Sequence, residues 1–125
     1  MVLAPVQQQT SHRVAATTAA SLHLYHDGAV VETPLARFAD APDLEGVAVI
    51  VAGRGLVEWF PHEAQDLDEL AETVPGAVAA GWRVVVLVPA FRMGEAHRAF
   101  RGTGATLQPW WPDDEAVRFG GPEVP

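Results

Sequence analysis

The sequence predicts an α/β fold: a small three-layer sandwich with a mixed, mainly parallel sheet of about five strands and an N-terminal β-hairpin. Residues 47–52 are a continuous apolar run of strand length, as a strand buried on both faces requires, and residues 82–88, which contain the apolar run 84–88, are predicted to form a second buried strand. Residues 63–74 between them have the apolar spacing of an amphipathic helix. A strand, a helix and a second strand joined by a long connection favour parallel pairing of the two strands.

The length of the chain fits one domain. Its 125 residues fall in the common domain range of roughly 100–150 residues, so a core can form without metal or disulfides. We expect a single domain over residues 21–121. Residues 1–20 lack hydrophobic periodicity and are interpreted as a flexible arm, and residues 122–125 as a tail.

The first predicted elements form a hairpin. Residues 22–26 and 29–33 are strand-like, and Asp27-Gly28 between them is typical of a type I′ turn, which needs positive φ at both positions. Thr33-Pro34 then suits the cap and first position of a short helix that reaches Phe38 or Ala39.

The middle of the chain carries the β-α-β unit. Residues 56–60 are ambiguous between a strand and a loop, and Pro61 ends the segment. In the helix that follows, the apolar side chains Leu67, Leu70, Ala71 and Val74 share one face. Pro75 interrupts this helix, and Gly81 suits the end of a further turn.

The C-terminal third is predicted to add a helix and a last strand. Residues 93–101 form the helix, which Gly102 ends, and residues 105–111 form the strand. Pro109 cannot donate to a ladder of hydrogen bonds, which favours the edge of the sheet for this strand. Residues 112–119 are expected to make one or two helical turns.

Composition excludes several kinds of chemistry. The formal net charge of −8 argues against nucleic acid as a partner, because phosphates need clustered basic residues. The chain has no cysteine and no lysine, so thiolates, disulfides, a P-loop lysine and Schiff bases are excluded. We expect no cofactor. The scarcity of residues with A/T-rich codons (no lysine, no asparagine, one isoleucine) indicates a GC-rich, bacterial genome.

The location of the protein is predicted from missing signals. No apolar run approaches the roughly 20 residues that span a bilayer, so we expect a soluble protein that does not enter membranes. The first residues have no basic segment, and Pro5 interrupts their apolar stretch, unlike a secretory signal. Cytoplasmic residence is the expectation.

No catalytic or metal-binding set is predicted. The two serines, Ser11 and Ser21, lie in or near the N-terminal arm. His23 and His26 are three apart on a predicted strand and so face opposite sides, which suits no metal. His97 shares the apolar face of its helix, where a packed histidine is the more common outcome. A protein without enzyme activity is the expectation, and an enzyme is the alternative.

One ligand site follows from the predicted topology. In open parallel sheets ligands bind beyond the carboxyl ends of the strands, where this chain has Gly53-Arg54-Gly55 and Arg92. Backbone N–H groups with Arg54 and Arg92 could hold a phosphate or carboxylate. Position 58 is a glutamate, so the glycine pattern of dinucleotide-binding proteins is incomplete.

Protein contacts are predicted from aromatic and acidic residues. Trp59-Phe60 and Trp110-Trp111 place neighbouring rings on opposite faces of a strand, so one ring of each pair needs a cover or a partner. Asp66 and Glu69 belong to the acidic face of the helix at residues 63–74, a docking surface for a basic partner or else a solvated face.

Three functions remain open. The first is a non-catalytic protein-interaction or regulatory module, with a protein partner or a homodimer contacting Trp59, Trp110, Trp111, Asp66 and Glu69. The second is a domain or enzyme that binds a phosphate or carboxylate ligand at Gly53, Arg54, Gly55 and Arg92. The third is an acidic inhibitor or immunity-type protein that blocks a basic surface.

Overall fold

The computed structural model describes residues 29–32, 46–62, 65–114 and 116–125. This part of the chain forms a mixed sheet and three short helices, which confirms the α/β class. The strands are β1 (Ala29–Glu32), β2 (Gly46–Val51), β3 (Leu56–Pro61), β4 (Arg83–Pro89), β5 (Thr106–Asp113) and β6 (Ala116–Phe119). The helices are α1 (Leu67–Ala71), α2 (Val74–Ala79) and α3 (Met93–Ala99).

The strands follow one another across the sheet in chain order, from β1 to β6. Only β3 with β4 and β4 with β5 pair in parallel, whereas β1 with β2, β2 with β3 and β5 with β6 are antiparallel. The expectation of a mainly parallel sheet is therefore wrong. The reason is connection length, since parallel neighbours need a crossover, usually a helix, and only two of the connections among β2–β6 contain one.

The β-α-β unit begins one strand later than predicted. Residues 52–55, which include a 3₁₀ turn (Ala52–Arg54), join β2 to β3 as an antiparallel hairpin. Gly55 has a φ of 60°, which suits a tight reversal. The ambiguous segment thus becomes β3, and it separates β2 from β4. All six residues of β3 are buried, so a loop is excluded there.

The three helices pack on one face of the sheet. The predicted stripe Leu67, Leu70, Ala71 and Val74 is buried there together with Ala96 and Phe100. On the sheet side this cluster includes Trp59, Val86 and Leu107. The opposite face carries a second cluster, built on Val47, Val49, Phe60, Leu87 and Trp110. No helix of the described residues covers this second face, so the third layer stays a prediction.

The helix boundaries follow from local chemistry. Asp66 caps α1, because its Oδ1 accepts a hydrogen bond from the Asp68 N–H at 2.9 Å. Pro75 lies in the first turn of α2, where its missing N–H costs nothing. Gly81 follows α2 and Gly102 follows α3, with φ of 98° and 76°. Both glycines were predicted to end these segments.

The C-terminal region is a hairpin instead of helical turns. β6 pairs with the end of β5, with Trp110 opposite Phe119, so the helical prediction for residues 112–119 is wrong. β5 lies between β4 and β6 and is not the edge. Pro109 is tolerated because its nitrogen faces away from β4, towards the segment that follows β6, where the Pro109 carbonyl accepts from the Gly120 N–H at 2.9 Å.

Several predicted segments lie outside the described residues. They are the N-terminal arm, the first strand and turn of the hairpin, and the short helix at residues 33–38. The hairpin's second strand is β1, which pairs with β2. Residues 122–125, interpreted as a tail, include Glu123, whose N–H and carbonyl both bond to Leu107 of β5 at 2.7 and 2.8 Å.

Candidate functional site

The structure does not bring Arg54 and Arg92 together. β2 runs antiparallel to β3, and β3 runs parallel to β4, so the carboxyl ends of β2 and β4 lie at opposite ends of the sheet. Gly53, Arg54 and Gly55 adjoin the start of β4, where the Gly55 carbonyl accepts from the Arg83 N–H at 2.7 Å. The structure therefore separates these residues of the predicted single site from Arg92. Only parallel strands have their carboxyl ends at the same edge of a sheet.

Arg92 has a bridging role at the far end of the sheet. Its Nη2 donates to the Gln65 carbonyl at 3.0 Å and to Glu95 Oε2 at 2.6 Å. Gln65 directly precedes the capping residue of α1, and Glu95 belongs to α3. The guanidinium therefore joins the starts of two helices, which supports the packing of the helical layer.

The aromatic pairs split as strand alternation predicts, and most of the rings are buried. Trp59 is 0% exposed in the helix-side cluster, and Phe60 is buried on the opposite face. Trp110 is 3% exposed, whereas Trp111 is 40% exposed. Trp59 and Trp110 are core residues. Their predicted role as contacts for a protein partner is therefore not compatible with their burial. Trp111 alone of the three predicted tryptophans is accessible.

The C-terminal strand β6 covers Trp110 of the second aromatic pair. Val117 and Phe119 pack against the cluster that contains Trp110. They do so from β6, since a strand places alternate side chains on one face and both residues share the Trp110 side.

The predicted acidic face is solvated. Asp66 is exposed and caps α1, and Glu69 is exposed one turn further. Among the residues with described positions, no group of three or more acidic, histidine or cysteine side chains is placed to hold a metal ion. His97 of α3 is half-buried, and its Nε2 is 2.8 Å from Glu123 Oε1.

The structure buries a carboxyl group, that of Glu58, which is not among the site residues predicted from the sequence. Glu58 lies at the centre of β3, opposite Val49 of β2 and Val85 of β4. It is 1% exposed, and its Oε1 has no hydrogen-bond partner within the described part of the chain. Burial raises the pKa of Glu58 from 4.5 to about 7, because a charged carboxylate is poorly solvated there.

Glu58 lines a cavity of about 330 Å³ on the sheet face opposite the helices. Strands β3, β4 and β5 form its floor, and Pro122 of the C-terminal segment contributes to its wall. The polar side chains that line it are Glu58, Arg83, Thr106 and Gln108. This volume lies at the lower end of the range of ligand pockets, roughly 300–1,000 Å³. We call it the Glu58 cavity.

The register explains why these side chains meet. Glu58, Val85 and Thr106 are directly opposite one another on three adjacent strands. Arg83 and Gln108 lie on the same face, because they are two residues from Val85 and from Thr106 along their strands. Arg83 is exposed and makes no ion pair with Glu58 in the described structure.

A signal for this site was present in the sequence. Glu58 is the single charged residue in the apolar run at residues 56–60. A strand assignment would have placed this carboxyl inside the sheet, where an acidic group is rarely fully buried without a partner. Because the segment is ambiguous between a strand and a loop, the sequence alone does not place this carboxyl inside the sheet.

The arrangement suits binding or proton transfer near neutral pH. A carboxyl with a pKa of about 7 is present in both protonation states at pH 7, so it can accept or donate a proton. The hydroxyl of Thr106 and the amide of Gln108 add hydrogen-bonding groups beside it.

Comparison with protein-family models, with curated proteins and with solved structures found no match to this chain. Among the helices of the described residues, none is both long and apolar enough to cross a membrane.

Proposed function

We propose that the protein is a small-molecule-binding domain whose ligand occupies the Glu58 cavity. The observation that carries the proposal is the Glu58 carboxyl, which is 1% exposed and lines this cavity with Oε1 unpaired among the described residues. A small-molecule-binding domain is one of the functions that the sequence leaves open. The proposed site is at Glu58 and not at Arg54 and Arg92.

The energetic cost of burying the Glu58 carboxyl supports a ligand. A buried polar atom without a partner costs about 1–3 kcal/mol, and such atoms in native structures call for an explanation, for example a functional role. A ligand that donates a hydrogen bond to Glu58 removes this cost when it binds. The alternative is a purely structural glutamate, but a leucine at this position in β3 would pack without the cost.

Native mass spectrometry of the purified protein, incubated with a small-molecule extract of its host cells, tests the proposal. We expect a noncovalent adduct on the wild type and none on Glu58→Leu, which removes the hydrogen-bonding group. Glu72→Leu is the matched control, since Glu72 is exposed on the helical side, and it should keep the adduct. Circular dichroism establishes that the variants are folded. A wild-type spectrum without adduct, or an adduct retained by Glu58→Leu, contradicts the proposal.

A second candidate function is the binding of a basic protein segment. Phe91 is 81% exposed in the 3₁₀ turn that follows β4, and Trp111 is 40% exposed. Both follow the paired residues Pro89 and Trp110, so they share one end of the sheet. We call Phe91 and Trp111 the aromatic end surface.

The surroundings of the aromatic end surface favour a basic partner. The hydrogen bond from Arg92 to the Gln65 carbonyl brings the start of α1 beside the turn that carries Phe91. The exposed Asp66, Asp68 and Glu69 therefore lie near it. Exposed aromatic side chains with an acidic rim suit a partner that offers an apolar side chain flanked by arginine or lysine.

Photo-crosslinking in host cells tests this second function. A benzophenone amino acid at position 91 or 111 should crosslink a basic protein, whereas position 124 should not, although Val124 is 84% exposed. Crosslinking from all three positions, or of acidic proteins only, contradicts the proposal. Crosslinking of a second copy of the chain would identify the homodimer instead. The third function, an acidic inhibitor, stays a prediction.

A further inference from the structure

The inner part of the Glu58 cavity is rich in hydrogen-bond acceptors. Glu58 Oε1 is an unpaired acceptor within the described residues when the carboxyl is ionised. Gln108 donates its amide N–H to the Gly120 carbonyl at 2.9 Å, so its amide oxygen remains as an acceptor. The Thr106 hydroxyl can also accept. A ligand group with several N–H donors fits these three side chains best.

The outer part of the cavity carries the opposite polarity. Arg83 lines the cavity and is exposed, so it belongs to the mouth, whereas Glu58 is buried. The Arg83 and Glu58 Cα positions are about 8 Å apart, from a strand spacing of about 4.8 Å and a rise of about 3.3 Å per residue. An arginine has only donors, and its planar guanidinium matches a carboxylate with two parallel hydrogen bonds.

We infer that the ligand is a small amino acid whose ammonium group binds Glu58 and whose carboxylate binds Arg83. The inference rests on the proposed function, since it assigns the chemistry of the ligand in the same cavity. One acidic and one basic side chain face the cavity from the described lining, and a zwitterion neutralises both. With about 330 Å³ available, one compact molecule fits.

Proton linkage provides a measurement specific to this orientation. An ammonium group favours ionised Glu58, so binding below the pKa of about 7 must release the proton of the carboxyl. The affinity should therefore be about tenfold weaker at pH 6 than at pH 8. Arg83 of β4 is the other charged group on the described lining. The residues that face Glu58 from β2 and β5, Val49 and Thr106, do not titrate.

Isothermal titration calorimetry with each of the standard amino acids tests the inference. For each amino acid that binds, its methyl ester lacks the anionic end and its N-acetyl derivative lacks the ammonium group. We expect Glu58→Gln to weaken binding at pH 8 by about tenfold or more, as loss of a charge-assisted hydrogen bond does. This variant should also abolish the pH dependence.

The anionic end is tested with a second variant. Arg83→Gln should weaken binding of the amino acid and leave binding of the methyl ester unchanged. Arg101→Gln is the matched control, because Arg101 is exposed beyond α3 and does not line the cavity. It should bind both compounds as the wild type does. Equal loss of both compounds in Arg83→Gln would overturn the assignment of the carboxylate.

Failure of the inference is distinguishable from failure of the proposed function. If the N-acetyl derivative binds as tightly as the amino acid, or if no standard amino acid binds, the inference is wrong. A Glu58-dependent adduct in native mass spectra would in that case still support a small-molecule site. Absence of the adduct from the wild type would overturn the proposed function as well.

Discussion

Replacement of Glu58 by glutamine should change how the stability of the protein depends on pH. Burial raises the pKa of Glu58 from its ordinary value of 4.5 to about 7. Between these values the folded protein keeps the proton that the unfolded chain has lost. The folded state binds more protons, so the free energy of unfolding falls as the pH rises from about 4.5 to about 7 and is constant above that range.

The size of this effect follows from the two pKa values. A tenfold change in an acid dissociation constant corresponds to about 1.4 kcal/mol, so the rise from 4.5 to about 7 gives about 3 kcal/mol. Ionised Glu58 destabilises the fold by this amount at pH 8. Below pH 4.5 the carboxyl is protonated in both states, and the contribution is absent.

Urea unfolding of the wild type and Glu58→Gln between pH 5 and pH 8 measures this contribution, with tryptophan fluorescence as the signal. Glutamine has nearly the same shape and cannot ionise. We expect similar stabilities at pH 5, and at pH 8 a variant that has gained about 3 kcal/mol relative to the wild type. Glu72→Gln, on the exposed side of the helical layer, should show no such change. A difference between wild type and Glu58→Gln that is constant from pH 5 to pH 8 would refute the reasoning.

Two further predictions test the packing of the sheet. Trp59→Ala should lower the free energy of unfolding by about 3–5 kcal/mol because the ring is fully buried. Trp111→Ala should lower it by less than about 1 kcal/mol, since this ring is 40% exposed. Equal losses in urea unfolding would contradict the assigned burial. Gly46→Ala should destabilise the fold by about 1–3 kcal/mol, since φ is 152° and an added Cβ would lie 2.5 Å from the Phe60 carbonyl oxygen. Gly76→Ala, in open space within α2, should be stabilising by about 0.5–1 kcal/mol, and a stable Gly46→Ala would show that this backbone is not constrained.

Local patterns predicted much of the secondary structure. The apolar run at residues 47–52 and the predicted strand at residues 82–88 became β2 and β4, and the buried stripe of α1 and α2 follows the predicted helical spacing. The glycines at 81 and 102 end their segments with positive φ. These features depend on the residues themselves and their near neighbours, so a sequence contains the information directly.

The C-terminal hairpin shows where local patterns were insufficient. The run at residues 112–119 has an acidic start and resembles a helix beginning. In the fold, the chain turns after Asp113 instead, with Asp114 at a φ of 52°, and Val117 and Phe119 pack against the cluster that contains Trp110. Burial of these two apolar side chains against a cluster that includes Val49 and Leu87, which are distant in the chain, outweighs a weak helical preference over so few residues.

The structure separates the residues of the predicted ligand site and brings a different set of polar side chains together. The sequence analysis placed an anion between Arg54 and Arg92 because it paired β2 directly with β4. The hairpin of β2 and β3 reverses the direction of β2, which sends the two arginines to opposite ends of the sheet. The same register brings Glu58, Arg83 and Gln108 onto one face, although they are far apart along the chain.

The sequence by itself determined the α/β class, the two central strands, the helical stripe and the absence of thiol and lysine chemistry, because these follow from composition and short-range periodicity. Only the tertiary structure decided which strands are neighbours, in which direction they run, and which polar side chain is left buried beside a cavity. Strand pairing joins residues that are distant in the chain. The burial of Glu58, and with it the raised pKa of its carboxyl, exists only once Val49 and Val85 flank it.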